Sequence, residues 1–204
     1  DGKKVKAVIK CPTCAIKNGF GGAGAFSDGK YNITNDFGGT LYEYIGRETA
    51  MALMRYVDQI NVENGGQDTK LYTTAGSDFK RICTQNKLQL LDASVRHLGT
   101  DINYVVLGNL YDKISKTVDF YFNTPVERIE IIEGGYRVHH QNGYDDCRQC
   151  IVSVGRSGSK WMEKVCEELD IDTKSNRVDI GVRVELPAVI FSHLTDELYE
   201  SKIV

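Results

Sequence analysis

No apolar run in this chain approaches the roughly 18 residues of a bilayer-spanning helix, so no membrane partner is expected. Nor is there an excess of basic charge. The 25 Lys and Arg stand against 28 Asp and Glu, a net charge of −3, which argues against nucleic acid as the main partner. Proline is scarce, at three residues, and no low-complexity tract or internal repeat is present, which excludes repeat arrays. The pattern of a secretory leader is missing. The six cysteines include two pairs spaced C-x-x-C and fit a reducing, cytoplasmic setting better than a disulfide framework. No Walker A loop occurs, because Lys30 is followed by Tyr31, and no G-x-G-x-x-G follows a clear strand. What remains, at 204 residues, is one large domain or two small ones with enough chain for a real core.

The most unusual stretch is Gly19-Phe20-Gly21-Gly22-Ala23-Gly24-Ala25-Phe26-Ser27-Asp28-Gly29-Lys30, with five glycines and two alanines in twelve residues. Each glycine costs about 0.5–1 kcal/mol relative to alanine inside a helix or strand, so the stretch belongs to neither. It suits a backbone that turns tightly and lets something flat or anionic approach its N–H groups. Glycine content alone fits a flexible surface loop equally well. Phe20 and Phe26, which flank the glycines, count against a solvated linker.

Along the chain, Thr40 is expected to cap a short helix over Leu41–Ile45. A longer helix is read from Arg47 to Val62, with Ala50, Leu53, Met54, Val57 and Ile60 at helical period facing the core and Asn64-Gly65-Gly66 as its stop. Ser77-Asp78 caps a helix to about Asn86, and Leu88–Leu91 reads as a short strand. The block Val95–Asp101 is expected to open a helix carrying Ile102, Val105, Val106, Leu110 and Ile114 inward, with Thr100 or Asp101 as its N-cap. Arg96 and His97 just before that helix would make an anion pocket. Val118–Phe122 reads as a strand. Val126–Ile132, Tyr136–His140 and Cys147–Val154 read as a meander turning at Gly134-Gly135 and Asn142-Gly143. His139 and His140 are adjacent, so they face opposite sides of a strand and cannot share one metal there. A helix over Ser159–Leu169 presents Trp161, Val165 and Leu169, a strand runs from Val178 to Leu186, and a last helix from Ala188 to Leu198. The pairs Cys11/Cys14 and Cys147/Cys150 are too far apart in sequence for a zinc ribbon, and no shared metal is expected. Cys150 is expected inside a strand, as a small hydrophobe.

Gly21 to Lys30, read with Tyr31-Asn32-Ile33-Thr34-Asn35, resembles a family of bacterial and archaeal FAD-dependent dehydrogenases of the two-dinucleotide-binding flavoprotein class. Arg96–Asp101, Val154–Gly158 and Val178–Glu185 are similar to further blocks of that family, in its order. The resemblance implies an α/β fold: part of an FAD-binding domain with an antiparallel β-meander, and an inserted helical or α+β cap domain. The expected division is 1–39 for the first part of the FAD-binding domain, 40–115 for the cap, and 116–204 for its continuation. The family's N-terminal G-x-G-x-x-G unit is not in this sequence, so the chain reads as a fragment. The function implied is FAD-dependent oxidoreduction of a small, anionic substrate with an electron donor or acceptor. Cofactor contacts are expected at Gly22, Ala23, Gly24, Ala25, Phe26, Ser27, Val126, Gly155 and Arg156. Substrate contacts are expected at Lys30, Arg96, His97 and Arg183. No residue is assigned as a catalytic base. The alternative is a non-catalytic module, either a Cys-ligated metal or iron–sulfur domain or a degenerate flavoprotein scaffold.

Overall fold

A computed structural model describes residues 19–25, 29–175 and 178–204. Cys11, Cys14, Phe26 and Ser27, and the expectations attached to them, lie outside the described residues. The fold is mixed α/β, with helices and two separate antiparallel three-stranded sheets. The chain divides into two compact units, Asp1–Val118 with Val184–Val204, and Asp119–Arg183. No helix among the described residues is long and apolar enough to cross a membrane.

In the first unit, strands β1 (Lys30–Ile33), β2 (Leu71–Thr73) and β3 (Ser94–His97) form a sheet of order β1-β3-β2. The central strand β3 pairs Lys30 with His97 and Tyr31 with Arg96 on one side, and Leu71 with Arg96 on the other. Helices α1 (Leu41–Ile45), α2 (Arg47–Asn61), α3 (Phe79–Gln85) and α4 (Gly99–Ile114) belong to this unit, as does α6 (Ala188–Leu198). Cys83, Leu90 and Leu198 are buried together, with Phe79 and Leu194 packed against them. The expected strand at Leu88–Leu91 is reduced to a bridge between Leu90 and Ile203, with Gln89 and Val204 exchanging both backbone hydrogen bonds at 2.7 and 2.9 Å.

Two readings of this unit are corrected. Helix α2 does not bury Leu53 or Val57, which are exposed; Ala50, Asp58 and Asn61 are inside instead. Asp58 is inside because it meets the buried Arg96 guanidinium there. The block Val95–Asp101, expected to open a helix, begins in strand β3, so Arg96 and His97 belong to a sheet, and Leu98 holds the N-cap position instead of Thr100 or Asp101.

The second unit carries the meander: β4 (Val126–Ile132), β5 (Gly135–His140) and β6 (Gly143–Cys147), paired in that order. A bulge lies between Val126 and Arg128. The Trp161 indole N–H, from α5 (Ser159–Glu168), donates to the Glu127 carbonyl in that bulge at 3.0 Å, and Val165 and Cys166 are buried on the same helix. The second strand boundary moves. Pairing ends at Cys147, so Cys150 is not in a strand, and Ile151 is 92% exposed. No strand forms at Val118–Phe122 or Val178–Leu186 among the described residues. In the latter segment Val178, Ile180 and Val182 keep the alternation of a strand but are 81–96% exposed, because a strand needs a partner as well as a pattern.

Candidate functional site

The turn Gly19–Ala25 is laid along α4. Asn103, Leu107 and Tyr111 are spaced i, i+4, i+8 and share one face of that helix. Phe20 meets Tyr111 edge-on, with ring centroids 5.5 Å apart. A Cβ at Gly21 would stand 2.5 Å from Leu107 Cδ1, so the turn touches the helix by its backbone. Asn103 closes the contact. Its Nδ2 donates to the Gly24 carbonyl at 2.7 Å, with a longer branch to Ala25 O at 3.5 Å, and its Oδ1 accepts from the Tyr31 hydroxyl at 3.1 Å. Asn103 is only 1% exposed. Burial pushes the Tyr31 hydroxyl pKa above its ordinary value, which keeps that donor protonated. On the other side of the gap, Gly29 leaves no room for a Cβ, which would lie 2.9 Å from both Asn103 Cβ and the Gly99 carbonyl.

Most glycines of this stretch have a reason in the fold. Gly21 and Gly29 are small because α4 is there. Gly22 adopts φ +57°, in the left-handed region that favours glycine. Gly24 has neither reason: its φ is not positive, and no described residue lies within 4 Å of where its Cβ would be.

The expected substrate residues separate into three groups. Lys30 and His97 are register partners on β1 and β3. The segment after α6 covers both: the His97 ring lies 4.3 Å from that of Tyr199, and Lys30 Nζ donates to both carboxylate oxygens of Glu200, at 2.8 and 3.0 Å. Tyr199 holds φ +61° with ψ −59°, a strained backbone for a non-glycine residue, and its ring also meets Tyr72. Arg96 is spent within the fold. Its Nε and Nη2 donate to Asp58 at 2.5 and 2.9 Å, and its Nη1 donates to the Thr69 carbonyl at 2.6 Å. An anion arriving there would have to displace Asp58, so the expected anion pocket is not formed. Arg183 is in the second unit, on the exposed extended segment.

Beside β1 lies a cavity of about 390 Å³, walled by Lys30, Asn32, Asn35, Phe37, Tyr42 and Met54. Asn35 donates from Nδ2 to the Arg47 carbonyl at 3.0 Å, which fixes its amide, and the Oδ1 atoms of Asn32 and Asn35 are both buried without a hydrogen-bond partner among the described residues.

The remaining cofactor expectations fall in the second unit. Val126 opens β4 opposite His140, next to the bulge. Gly155 has φ +65° and ψ −166°, a glycine-only conformation, and turns the chain into Arg156, the first residue of a 3-10 turn ahead of α5. Among the described residues no three His, Cys, Asp or Glu side chains come together as a metal set. Reading by sequence missed Asn103, Asp58 and Glu200. All three are polar residues in or near helices, where the pattern assigns them to water. A buried polar partner leaves no periodic signal. No protein-family model, no curated protein and no solved structure matches this chain.

Proposed function

We propose that this chain is part of an FAD-dependent oxidoreductase acting on a small substrate, and that its glycine turn receives the flavin cofactor on the backbone. One observation carries the reading: Gly24 is a glycine that nothing among the described residues requires. A side chain there would be neither strained by its φ nor blocked by a described neighbour. Glycine at such a place is explained by something outside the fold that approaches the main chain closely. The turn is also held for that purpose. Asn103 fixes the Gly24 carbonyl inward, at 2.7 Å, so the peptide is anchored before any ligand arrives. Preorganised backbone donors of this kind are how small nucleotides are commonly held.

In this reading Ala23 and Gly24 offer N–H groups to the flavin or its phosphates, with Ala25 and Phe26 beside them and the Ser27 hydroxyl as a further partner; the Gly22 N–H donates to the Gly19 carbonyl at 2.9 Å and closes the turn instead. Bound FAD supplies electron transfer between the substrate and a second carrier. Lys30 and His97 stand next along the sheet for the substrate, held by Glu200 and Tyr199. Within the second unit, Val126 offers main-chain groups next to a bulge, and Gly155 with Arg156 supplies a tight turn. These contacts rest on the family resemblance. Arg96 has no substrate role in this reading; it holds α2 to β3 through Asp58.

The experiment is a visible absorption spectrum of the full-length protein as purified, followed by denaturation and identification of what is released. The expected result is oxidised flavin, released as FAD in near-equal amount to protein. Protein that neither carries flavin nor binds it when FAD is added, and that holds stoichiometric zinc or iron, would favour the metal-module alternative.

A further inference from the structure

Lys30 stands in the wall of two cavities. One is the space of about 390 Å³ described above; the other, of about 210 Å³, lies against residues 200–202 and shares Lys30, Asn32 and Phe37 with the first. The Lys30 ammonium is already taken, by both oxygens of the Glu200 carboxylate. The chain reaches that contact at a conformational cost. Tyr199, at φ +61° and ψ −59°, is the centre of a three-residue turn closed by the Glu200 N–H, which donates to the Leu198 carbonyl at 2.7 Å. This is the rare, strained form of the γ-turn, and such strain collects at ligand sites and switch segments. Yet the ion pair it delivers holds little together. Its side chains keep 33% and 40% exposure, against 9% and 12% for Arg96 and Asp58, and a pair so open to water contributes little stability. The turn therefore brings a carboxylate to a lysine for a small gain.

We propose that Glu200 is a stand-in for the carboxylate of a small apolar acid, which displaces it from Lys30 and fills the larger cavity. Three features define that ligand. Charge comes first: Lys202 adds a second cation, with Nζ 5.4 Å from the centroid of the Phe37 ring that both cavities share, so an anion is drawn there. Phe37, Tyr42 and Met54 offer apolar surface for the ligand's body. Asn35 then asks for a donor. Its amide is pinned through the Arg47 carbonyl, and its Oδ1 has no partner among the described residues, so the ligand brings an O–H or N–H to it. That oxygen is closed to water while Glu200 is in place, and binding opens the wall over it. A 2-hydroxy or 2-amino acid with a hydrophobic side chain carries all three features. A cavity of about 390 Å³ is also within the range of about 300–1,000 Å³ usual for small-molecule sites. The inference rests on the assignment of Lys30 to the substrate in the flavin reading, but binding of the acid itself needs no flavin.

The test is calorimetric titration of the full-length protein with mandelate, which joins a phenyl ring, a hydroxyl and a carboxylate. Phenylglycine exchanges the hydroxyl for an amine, mandelamide removes the charge, and phenylacetate removes the donor. Mandelate or phenylglycine is expected to bind, with mandelamide and phenylacetate weaker by about tenfold, the loss expected for one hydrogen bond to a charged or buried group. Glu200→Gln weakens the internal competitor and should tighten binding of the acid about two- to fivefold. Lys30→Met should weaken it about tenfold or more, alone or combined with Glu200→Gln. Lys30→Gln repeats that loss with a polar side chain, and circular dichroism confirms that each variant is folded. Neither acid binding to the parent or to Glu200→Gln, undiminished binding to folded Lys30→Met, no gain in Glu200→Gln, or equal binding of mandelamide or phenylacetate would each overturn the proposal. Flavin absorbance of the same samples is read separately. Acid binding by protein that cannot take up FAD upholds this site and refutes the flavin reading, whereas flavin-bearing protein that ignores both acids does the reverse.

Discussion

Asn103→Ala tests whether the glycine turn is held in the way described. The substitution removes two hydrogen bonds made by the buried Asn103 amide, to the carbonyl of the exposed Gly24 and from the hydroxyl of the half-buried Tyr31. A hydrogen bond contributes about 1 kcal/mol net, but a buried polar group left unsatisfied costs about 1–3 kcal/mol. Water reaches the exposed Gly24 residue and the half-buried Tyr31, so the loss is about 1–2 kcal/mol, or about 2–8 °C in melting temperature. Tyr31→Phe should cost less, because it strands only one acceptor. The double variant should then show a coupling of at least about 0.5 kcal/mol, since the two residues share a bond. Amide hydrogen exchange gives the location: in Asn103→Ala the amides of Gly19–Ala25 should exchange faster while those of β4–β6 stay unchanged. A variant within about 0.5 kcal/mol of the parent, the range of ordinary surface changes, would refute the tether.

Three further outcomes follow from the buried and paired charges. Asp58→Ala leaves the Arg96 guanidinium buried without its carboxylate and should destabilise the first unit by about 3–5 kcal/mol, while Asp58→Leu combined with Arg96→Met should recover much of that in urea denaturation. Tyr31 has its pKa raised above the ordinary 10.0, so the protonated form is favoured in the fold. Its contribution is complete below about pH 10 and is lost as the pH climbs through the raised value; Tyr31→Phe should lack that alkaline slope. In the meander, the Arg137 guanidinium holds the Asp146 carboxyl below its ordinary 3.8, so that support is present above the carboxylate range and fades as pH falls through the lowered value. An NMR titration of Asp146 should move back toward 3.8 in Arg137→Met.

Local signals were legible in the sequence, and pairing partners were not. Gly134-Gly135 and Asn142-Gly143 announced the two turns of the meander, and α2 ends at the Asn64-Gly65-Gly66 stop read for it, allowing for one further irregular turn over Val62–Gly66. Arg96 and His97 were misread because their strand partners, Lys30 and Tyr31, lie more than sixty positions earlier and contribute nothing to local pattern. The reverse error occurred at Val178–Leu186, where strict alternation predicted a strand that finds no sheet among the described residues. For the site, glycine density pointed to the turn. It could not separate Gly21, which packs on Leu107, from Gly24, which packs on nothing described, because both read as the same letter. Asn103 was hidden for a similar reason: within α4 it reads as part of a wet face, and only the fold shows it 1% exposed.

The central claim is that the main chain at Gly24 meets the cofactor, and the affinity of full-length Gly24→Val for FAD tests it most directly. The described residues leave room for that side chain, so circular dichroism and melting temperature should stay near the parent's. Ser27→Ala is the comparison. It removes one hydroxyl worth about 0.5–1.5 kcal/mol as a hydrogen bond and should weaken FAD binding by no more than about tenfold. A folded Gly24→Val protein that has lost far more than that is the predicted result. If Gly24→Val folds and binds FAD as tightly as the parent, the turn is an ordinary surface loop and the flavin assignment to it is wrong.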